Sequence, residues 1–253
     1  MTLSGIDTGV LFAASLVANF FSALSGGGAG LIQFPILIFL GLSFGVALAT
    51  HKVASVFLGV GALLRHGREG GLAWRESLII LAAGLPGVII GASWVLRAPE
   101  RPMILLLGLL TAGLGLYSVF KPQLGMVHAP RNWHGAGLWI GVVGLFGVGL
   151  LNGSITSGTG LFLTLWLIRW FGLDYQRAVA YTLILCGFFW NGTGAVVLGI
   201  LGTVAWDWMP ALLAGSLLGG YLGTHLAIRQ GNRWIKRAFE VTTILIGVKL
   251  ILS

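Results

Sequence analysis

Glycines and short polar side chains are concentrated in two stretches of an otherwise apolar chain, SGGGAG at 25–30 and NGSITSGTG at 152–160. Glycine inside a helix costs roughly 1 kcal/mol relative to alanine, and irregular backbone is tolerated inside a bilayer only where protein covers it or water reaches it. Each stretch precedes an apolar run that we expect to be helical. The N-terminus of a helix presents unpaired backbone N–H groups and roughly half a positive charge. The two stretches therefore predict a pair of anion-binding helix N-termini.

Donor side chains accompany both stretches. Short hydroxyl and amide groups that suit an oxyanion are found at Ser22, Ser25, Asn152, Ser154, Thr156, Ser157 and Thr159. The predicted anion site takes the following residues from the two stretches: Ser25, Gly26, Gly27, Gly28, Gly30, Asn152, Ser154, Ser157, Gly158, Thr159 and Gly160. The missing side chains of the glycines would let an oxyanion approach the backbone. Alternatively, the glycines form tight turns or close helix contacts, as small residues often do in membranes.

A second motif, ALATHKVAS at 47–55, adds a charge to the predicted site. Lys52 lies well inside an apolar run, where a charged side chain is a functional candidate by default; its alternative is to snorkel to the outer surface. His51 could carry a proton near physiological pH or be a hydrogen-bonded structural histidine. We include Thr50, His51 and Lys52 in the predicted site, together with Thr182 of the matching stretch AVAYTLIL and the intramembrane Asn191.

Composition sets the environment in which these residues act. Of the 253 residues, 57% are hydrophobic and 9% are charged, whereas a soluble domain carries about 25% charged residues. The mean hydropathy is +0.95, which predicts an all-α membrane protein. The net charge of +8 does not indicate a nucleic-acid partner, because the basic residues lie in short turns between apolar runs. Cys186 is the single cysteine, so no intrachain disulfide is expected.

Ten apolar segments are expected to be helical, at about 6–24, 30–42, 46–64, 76–96, 102–119, 135–153, 159–171, 177–201, 207–228 and 234–252. The second and seventh segments are short and broken, and each directly follows a glycine-rich stretch. A helix of this length rises about 20 Å, against a hydrocarbon core of about 30 Å. If the second segment ends at the outer surface near Gly41, its N-terminus must therefore lie inside the bilayer.

The second half of the chain repeats the first. Matching residues include Gly28 and Gly30 with Gly158 and Gly160, Trp74 with Trp206, and Arg97 and Arg101 with Arg229 and Arg233. Five segments in each half is an odd number, so the halves must be inverted. Inverted repeats are typical of secondary transporters, whose substrate site lies between the repeats near the membrane midplane. We divide the chain into a first membrane repeat, 1–122, a cytoplasmic linker, 123–134, and a second membrane repeat, 135–253.

The basic residues predict the orientation. With ten crossings and the N-terminus outside, eleven basic residues face the cytoplasm and two, Arg97 and Arg101, face outward. The positive-inside rule favours this topology over one with re-entrant second and seventh segments, and it puts both termini in the periplasm. The stretch SGGGAG would then line a recess open to the cytoplasm, and by inversion NGSITSGTG would line a recess open to the outside.

The sequence contains no arrangement that is typical of an enzyme. Only seven acidic residues are present, and Asp7, Asp174 and Asp207 lie at segment ends. No His, Asp or Glu pair within one segment has metal-ligand spacing, and no phosphate-binding loop for ATP is found. We therefore expect no catalytic residue, no metal and no cofactor, and transport that is either ion-driven or passive.

The chain resembles the TauE/SafE sulfite exporter family over essentially its whole length. The resemblance is carried by SGGGAGLIQFP, ALATHKVAS and GGLAW, and by their weaker echoes TSGTGL, AVAYT and GTVAW in the second half. It implies export of small sulfur-containing anions, such as sulfite or organosulfonates, across a bacterial inner membrane. One departure concerns His51, which stands where the family pattern has Asn or Ser beside the first Thr.

The leading interpretation is a multi-pass secondary transporter in the lipid bilayer that moves a small anion by alternating access. A proton or sodium would be the coupling ion, and an oligomer is compatible with the sequence. A passive anion channel and a non-transporting membrane scaffold or assembly protein are the alternatives. Uptake against a gradient would argue against the channel, and stabilisation by anions would argue against the scaffold.

Overall fold

The computed structural model describes residues 5–69, 72–95, 100–154 and 158–252, which are almost entirely helical and contain no strand. The helices are α1 (Gly5–Ser25), α2 (Ala29–Phe39), α3 (Phe44–His66), α4 (Trp74–Trp94), α5 (Glu100–Val119), α6 (Gly135–Ser154), α7 (Thr159–Arg169), α8 (Tyr175–Tyr181), α9 (Asn191–Leu201), α10 (Met209–Gln230) and α11 (Asn232–Leu252). A π-helical section, Thr182–Trp190, joins α8 to α9 without a break.

All ten predicted segments are helical, with ends within a few residues of those expected. Among the described residues, six helical stretches are long and apolar enough to cross a membrane: Thr8–Ser25, Phe44–Glu69, Trp74–Trp94, Gly135–Ser154, Tyr175–Leu201 and Trp206–Gln230. The helices α2 and α7 have 11 residues each and are too short to cross as straight helices. The protein is therefore a multi-pass helical membrane protein, and the inverted relation of its halves and their proposed boundaries remain predictions.

The main helix pairs each join one half of the chain to the other. Helix α1 packs on α10, α4 packs on α6, and α5 packs on α11. Glycines make the first two contacts close: a Cβ at Gly87 would overlap the carbonyl oxygen of Phe146, and a Cβ at Gly219 would overlap that of Leu16. At these positions the absent side chains let the helix backbones approach closely. The reciprocal pairing, first helix with fourth, is what a two-fold relation between the halves would produce.

Each short helix begins at a glycine in the left-handed region. Gly28 precedes α2 with φ 102°, and Gly158 precedes α7 with φ 78°. A side chain at either position would be strained, which is a local reason for glycine there.

The two glycine-rich stretches meet in the interior of the protein. A Cβ at Gly27 would lie 2.7 Å from the Cα of Gly160, and a Cβ at Gly26 would lie 2.7 Å from the Oγ1 of Thr164. No side chain separates the two backbones at this point. The described residues thus bring the starts of α2 and α7 to one place, whereas the sequence predicted two recesses; the opposite sidedness of those recesses remains a prediction.

Candidate anion site

A small cavity lies where the starts of α2 and α7 approach each other. Its volume is about 40 Å³, which is room for roughly three water molecules. It is lined by Ser22, Gly27, Gly28, Ala29, Gly30, His51, Ser55, Leu58, Asn152, Thr159, Gly160, Thr182, Leu183, Cys186, Gly187 and Asn191. Both glycine-rich stretches, α3 and the π-helical section therefore contribute to one cavity.

Two kinds of donor are available in this cavity. The helices α2 and α7 both begin at its wall, with the partial positive charge of a helix N-terminus. Ser22 is 2% exposed, and its Oγ has no hydrogen-bond partner among the described residues. A buried hydroxyl without a partner costs free energy unless a bound group satisfies it. The cavity thus has the donors that an oxyanion requires.

Lys52 lies behind the cavity wall and is completely buried. Its Nζ donates to the backbone oxygen of Asn152 at 2.7 Å, to the Oδ1 of Asn152 at 2.8 Å and to the Oδ1 of Asn191 at 3.0 Å. Three acceptors match the three N–H groups of an ammonium ion. Lys52 therefore does not snorkel to the surface; it bridges α3, α6 and α9.

The charge of Lys52 is not balanced by an acidic side chain. The ion pairs in the described part of the chain are Arg65–Glu69, Arg177–Asp174 and Lys236–Glu240, and none of them includes Lys52. Its three partners are neutral amide oxygens. When Lys52 is protonated, its neutral partners leave a net positive charge beside the cavity, and that charge favours an anion there.

Lys52 also fixes the orientation of the two amides. Because the Oδ1 atoms of Asn152 and Asn191 accept from Lys52, their Nδ2 groups point elsewhere. Nδ2 of Asn152 donates to the Oγ1 of Thr159 at 3.0 Å and to the Oδ1 of Asn191 at 3.2 Å. Both asparagines line the cavity. The Nδ2 of Asn152 is engaged by protein acceptors, so the Nδ2 of Asn191 is the amide group that can donate to a ligand in the cavity.

His51 belongs to a chain of buried hydrogen bonds that leads away from the cavity. Its Nδ1 lies 2.9 Å from the Oε1 of Gln33, and the Nε2 of Gln33 donates to the Oγ of Ser15 at 3.1 Å. Since Oε1 can only accept, Nδ1 of His51 carries a hydrogen. Nε2 of His51 lies 3.1 Å from the Oγ of Ser55, a cavity residue, and is the nitrogen on which a proton would be gained.

The second half contains a similar contact. Thr164 donates through Oγ1 to the backbone oxygen of Gly26 at 2.8 Å, and its Oγ1 lies 2.9 Å from the Oγ1 of Thr182, which can donate to it. Gln33 and His51 are 18 residues apart, and so are Thr164 and Thr182. Equivalent positions are therefore in contact in the two halves. The pair in the first half includes an ionisable side chain, His51, whereas the pair in the second half consists of two threonines.

Nine of the sixteen residues of the predicted site line the cavity, and the others that the structure describes do not. The Oγ of Ser25 lies 2.8 Å from the backbone oxygen of Phe21 and 3.0 Å from that of Gly27, and it can donate to either. Thr50 accepts from the backbone N–H of Ala205 at 3.0 Å, and Ser154 donates to the backbone oxygen of Leu150 at 2.9 Å. These three hydroxyls are occupied by helix ends or neighbouring backbone.

The remaining predicted residues support the cavity wall or lie outside the description. Gly26 packs against Thr164, and Gly158 forms the start of α7 without lining the cavity. Ser157 lies outside the described residues, as does its neighbour Thr156.

Three polar residues of the site were not predicted. Ser55 and Cys186 line the cavity, and Gln33 orients His51. Ser55 follows His51 by one helical turn, so helical periodicity could have identified it. Neither Gln33 nor Cys186 has a distinctive sequence context. Outside the site, Glu240 pairs at 2.5 Å with Lys236, which lies four residues before it on α11.

A multi-pass helical protein whose halves meet at a small, positively charged cavity has the architecture of a membrane transporter. The model of the Sulfite exporter TauE/SafE family matches residues 11–250, and the chain belongs to that family. The comparison confirms the resemblance that the sequence motifs indicated.

Curated relatives are similar over nearly their whole length. A probable membrane transporter protein, ORF9, of Sinorhizobium sp is 27% identical over 95% of this chain and 91% of its own length. The probable membrane transporter protein YfcA of Escherichia coli strain K12 is 27% identical over 98% and 91%. A probable membrane transporter protein of Haemophilus influenzae is 26% identical over 98% and 96%. No solved structure matches the chain.

Proposed function

We propose that this membrane transporter exports a small sulfur-containing oxyanion by alternating access. The observation that carries the proposal is the buried ammonium of Lys52, which has only neutral oxygens as partners and adjoins a cavity with N–H and O–H donors. An anion in the cavity would supply the missing counter-charge. The name of the family supports sulfite or an organosulfonate as the substrate.

The size of the cavity favours the smallest members of this class. A volume of about 40 Å³ holds roughly three waters, which suits sulfite better than a sulfonate with a long organic group. The backbone N–H groups at the starts of α2 and α7, the hydroxyl of Ser22 and the amide of Asn191 are the proposed ligands. Lys52 acts on the anion through the two asparagines.

Alternating access is supported by the way the halves meet. The cavity takes one short helix from each half, and the main helix pairs each join the two halves. A rocking motion of the halves would expose such a cavity to one side of the membrane at a time. We place the protein in the bacterial inner membrane with both termini periplasmic, and we propose a proton as the coupling ion, because His51 lies on the cavity wall.

A thermal-shift screen of the detergent-solubilised protein tests anion binding. Sulfite, thiosulfate, sulfate and methanesulfonate are compared with chloride at equal ionic strength. A ligand that binds only the folded state stabilises it by RT ln(1 + [L]/Kd) and so raises Tm, and we expect sulfite to give the largest increase. The Lys52→Met variant is the matched control. If no oxyanion raises Tm above chloride, the proposed anion site is refuted.

Proteoliposomes distinguish the transporter from a channel. Sulfite efflux is measured with and without an imposed proton gradient, at zero membrane potential. A secondary transporter coupled to protons should move sulfite against its own concentration gradient when the proton gradient is present. Movement that only follows the sulfite gradient, whatever the proton gradient, would support the passive channel instead.

A further inference from the structure

Three oxygens surround the Nζ of Lys52 and form what we call the oxygen cage: the backbone O of Asn152, its Oδ1, and the Oδ1 of Asn191. Their distances to Nζ are 2.7, 2.8 and 3.0 Å. The lysine is completely buried. The cage is built from α6 and α9, whereas the lysine reaches it from α3.

We infer that the oxygen cage is a site for a small monovalent cation, which this chain fills with its own ammonium group. This inference rests on the proposed function, because the cation matters there as the counter-charge of the transported anion. Carbonyl oxygens are neutral ligands that bind alkali ions in membrane proteins, and they accept hydrogen bonds from an ammonium group. A divalent cation would call for carboxylates, and the cage has none.

The surroundings of Lys52 support a site of this kind. A Cβ at Gly194 would lie 3.2 Å from Cε and 3.4 Å from Nζ of Lys52, so the lysine stem lies across a glycine of α9 that leaves room for it. Removal of the stem would leave a space next to the cage. The position that corresponds to Lys52 in the second half is Leu183, so only the first half of the chain supplies a cation at this position.

The inference has a direct functional consequence. Because the cation is tethered, anion binding by the unmodified protein needs no free sodium or potassium. The sulfite-induced increase in Tm should be the same in sodium, potassium and choline salts at equal ionic strength. A requirement for sodium in the unmodified protein would overturn the inference, since the cage would then not be the cation site on which the anion depends.

Two variants of Lys52 separate charge from volume. Lys52→Ala empties the cage and leaves space, whereas Lys52→Met fills the space with a neutral side chain. Each is titrated with ammonium, methylammonium or sodium chloride against choline chloride, first without any oxyanion and then with sulfite. We expect ammonium or methylammonium to raise the Tm of Lys52→Ala and to restore sulfite affinity to within about threefold of the parent, a residual of under 1 kcal/mol. Lys52→Met should respond to neither cation.

The outcomes distinguish this inference from the proposed function. If Lys52→Ala gains neither Tm nor sulfite affinity from any of the three cations, the cage is not a cation site, although sulfite binding by the parent would stand. If the parent itself binds no sulfite, the proposed function fails, and the response of Lys52→Ala to ammonium alone still tests the cage. Should Lys52→Ala be unstable in choline, recovery of monodisperse protein by methylammonium supports the cage, and no recovery overturns it.

Discussion

Two lysines are buried in this protein, and their partners differ. Lys236 donates to the carboxylate of Glu240 at 2.5 Å and to the backbone oxygen of Ser118 at 2.6 Å. Lys52 donates only to the neutral oxygens of Asn152 and Asn191. A buried charge needs an opposite charge or an equivalent set of dipoles. The first lysine finds that charge four residues away on its own helix, whereas the second has three neutral oxygens around it and no acidic partner in the described part of the chain.

In a membrane protein, the charge of a buried partner side chain distinguishes a structural lysine from one that can act on a ligand. The pair Lys236–Glu240 is electrically complete, and it fastens the start of α11 to the end of α5 through Ser118. Lys52 has a full set of hydrogen-bond acceptors, but no acidic side chain among the described residues balances its charge. Of these two properties, only the unbalanced charge attracts an anionic ligand.

The largest expected effect comes from giving Lys52 the partner that Lys236 already has. Asn191→Asp places a carboxylate beside the ammonium and on the cavity wall. At an effective dielectric constant of about 20, a like charge about 4 Å from the anion costs roughly 4 kcal/mol. Sulfite affinity should therefore fall by about 1000-fold or more, without a loss of Tm. Titration of the variant with sulfite in the thermal-shift assay measures both. Affinity within threefold of the parent would show that Lys52 needs no external counter-ion.

Neutralising each lysine in turn should separate the two roles. Lys52→Met is expected to lower sulfite affinity by about 100-fold, because a fixed charge one amide away is worth roughly 3 kcal/mol. Lys236→Met should leave that affinity unchanged and destabilise the fold by roughly 2 kcal/mol, since it strands a partly buried carboxylate. Sulfite titration and denaturation of both variants check this, and equal affinity losses would contradict it.

A substitution that shifts α3 without changing Lys52 itself should affect the site of Lys52 and leave that of Lys236 unchanged. Gly59 follows Lys52 by two helical turns on the same face, and a Cβ there would lie 2.5 Å from the backbone N of Phe188. Gly59→Ala should therefore destabilise the protein by about 2 kcal/mol and weaken sulfite binding.

Gly199→Ala is the matched control, because a Cβ at Gly199 would meet nothing within 4 Å. It should be neutral or stabilising by up to about 1 kcal/mol. If both variants had the same Tm and affinity, close contact between α3 and the π-helical section would not position the site.

The smallest effect is expected at Ser22. Its hydroxyl has no partner among the described residues, so Ser22→Ala should not lower the Tm of the unliganded protein. Loss of one hydrogen bond to the anion, worth about 1 kcal/mol, should weaken sulfite binding about fivefold. Ser15→Ala is the comparison, since Ser15 donates to the backbone oxygen of Leu212 at 2.7 Å and should lower Tm. A fall in Tm with unchanged affinity for Ser22→Ala would remove this serine from the site.

The fold was largely predictable because hydrophobicity determines which segments are buried in lipid. The ends of all ten segments follow from charges, glycines and tryptophans that the bilayer excludes or retains at its surface. The π-helical section was not predicted, since an apolar run such as TLILCGFFW contains no signal for the number of residues per turn.

The site was predictable only where local structure identifies it. Gly27 and Gly160 were found because backbone contact permits no side chain. Thr50 does not line the cavity although its neighbour His51 does, since neighbours on a helix point about 100° apart. The partners of Lys52 lie 100 and 139 residues away, and no local pattern records a contact of that kind.

The burial of Lys52 also has an electrical consequence. A charge fixed inside the membrane feels the transmembrane voltage, which is worth at most about 2.3 kcal/mol per elementary charge per 100 mV. In the proposed cycle, the ammonium and a singly charged cargo cancel, so the loaded step is nearly indifferent to voltage. The empty site keeps its positive charge, and an interior-negative potential draws it back toward the cytoplasm. In an exporter, a tethered lysine would thus let the membrane potential drive the return of the empty site to its cytoplasm-facing state.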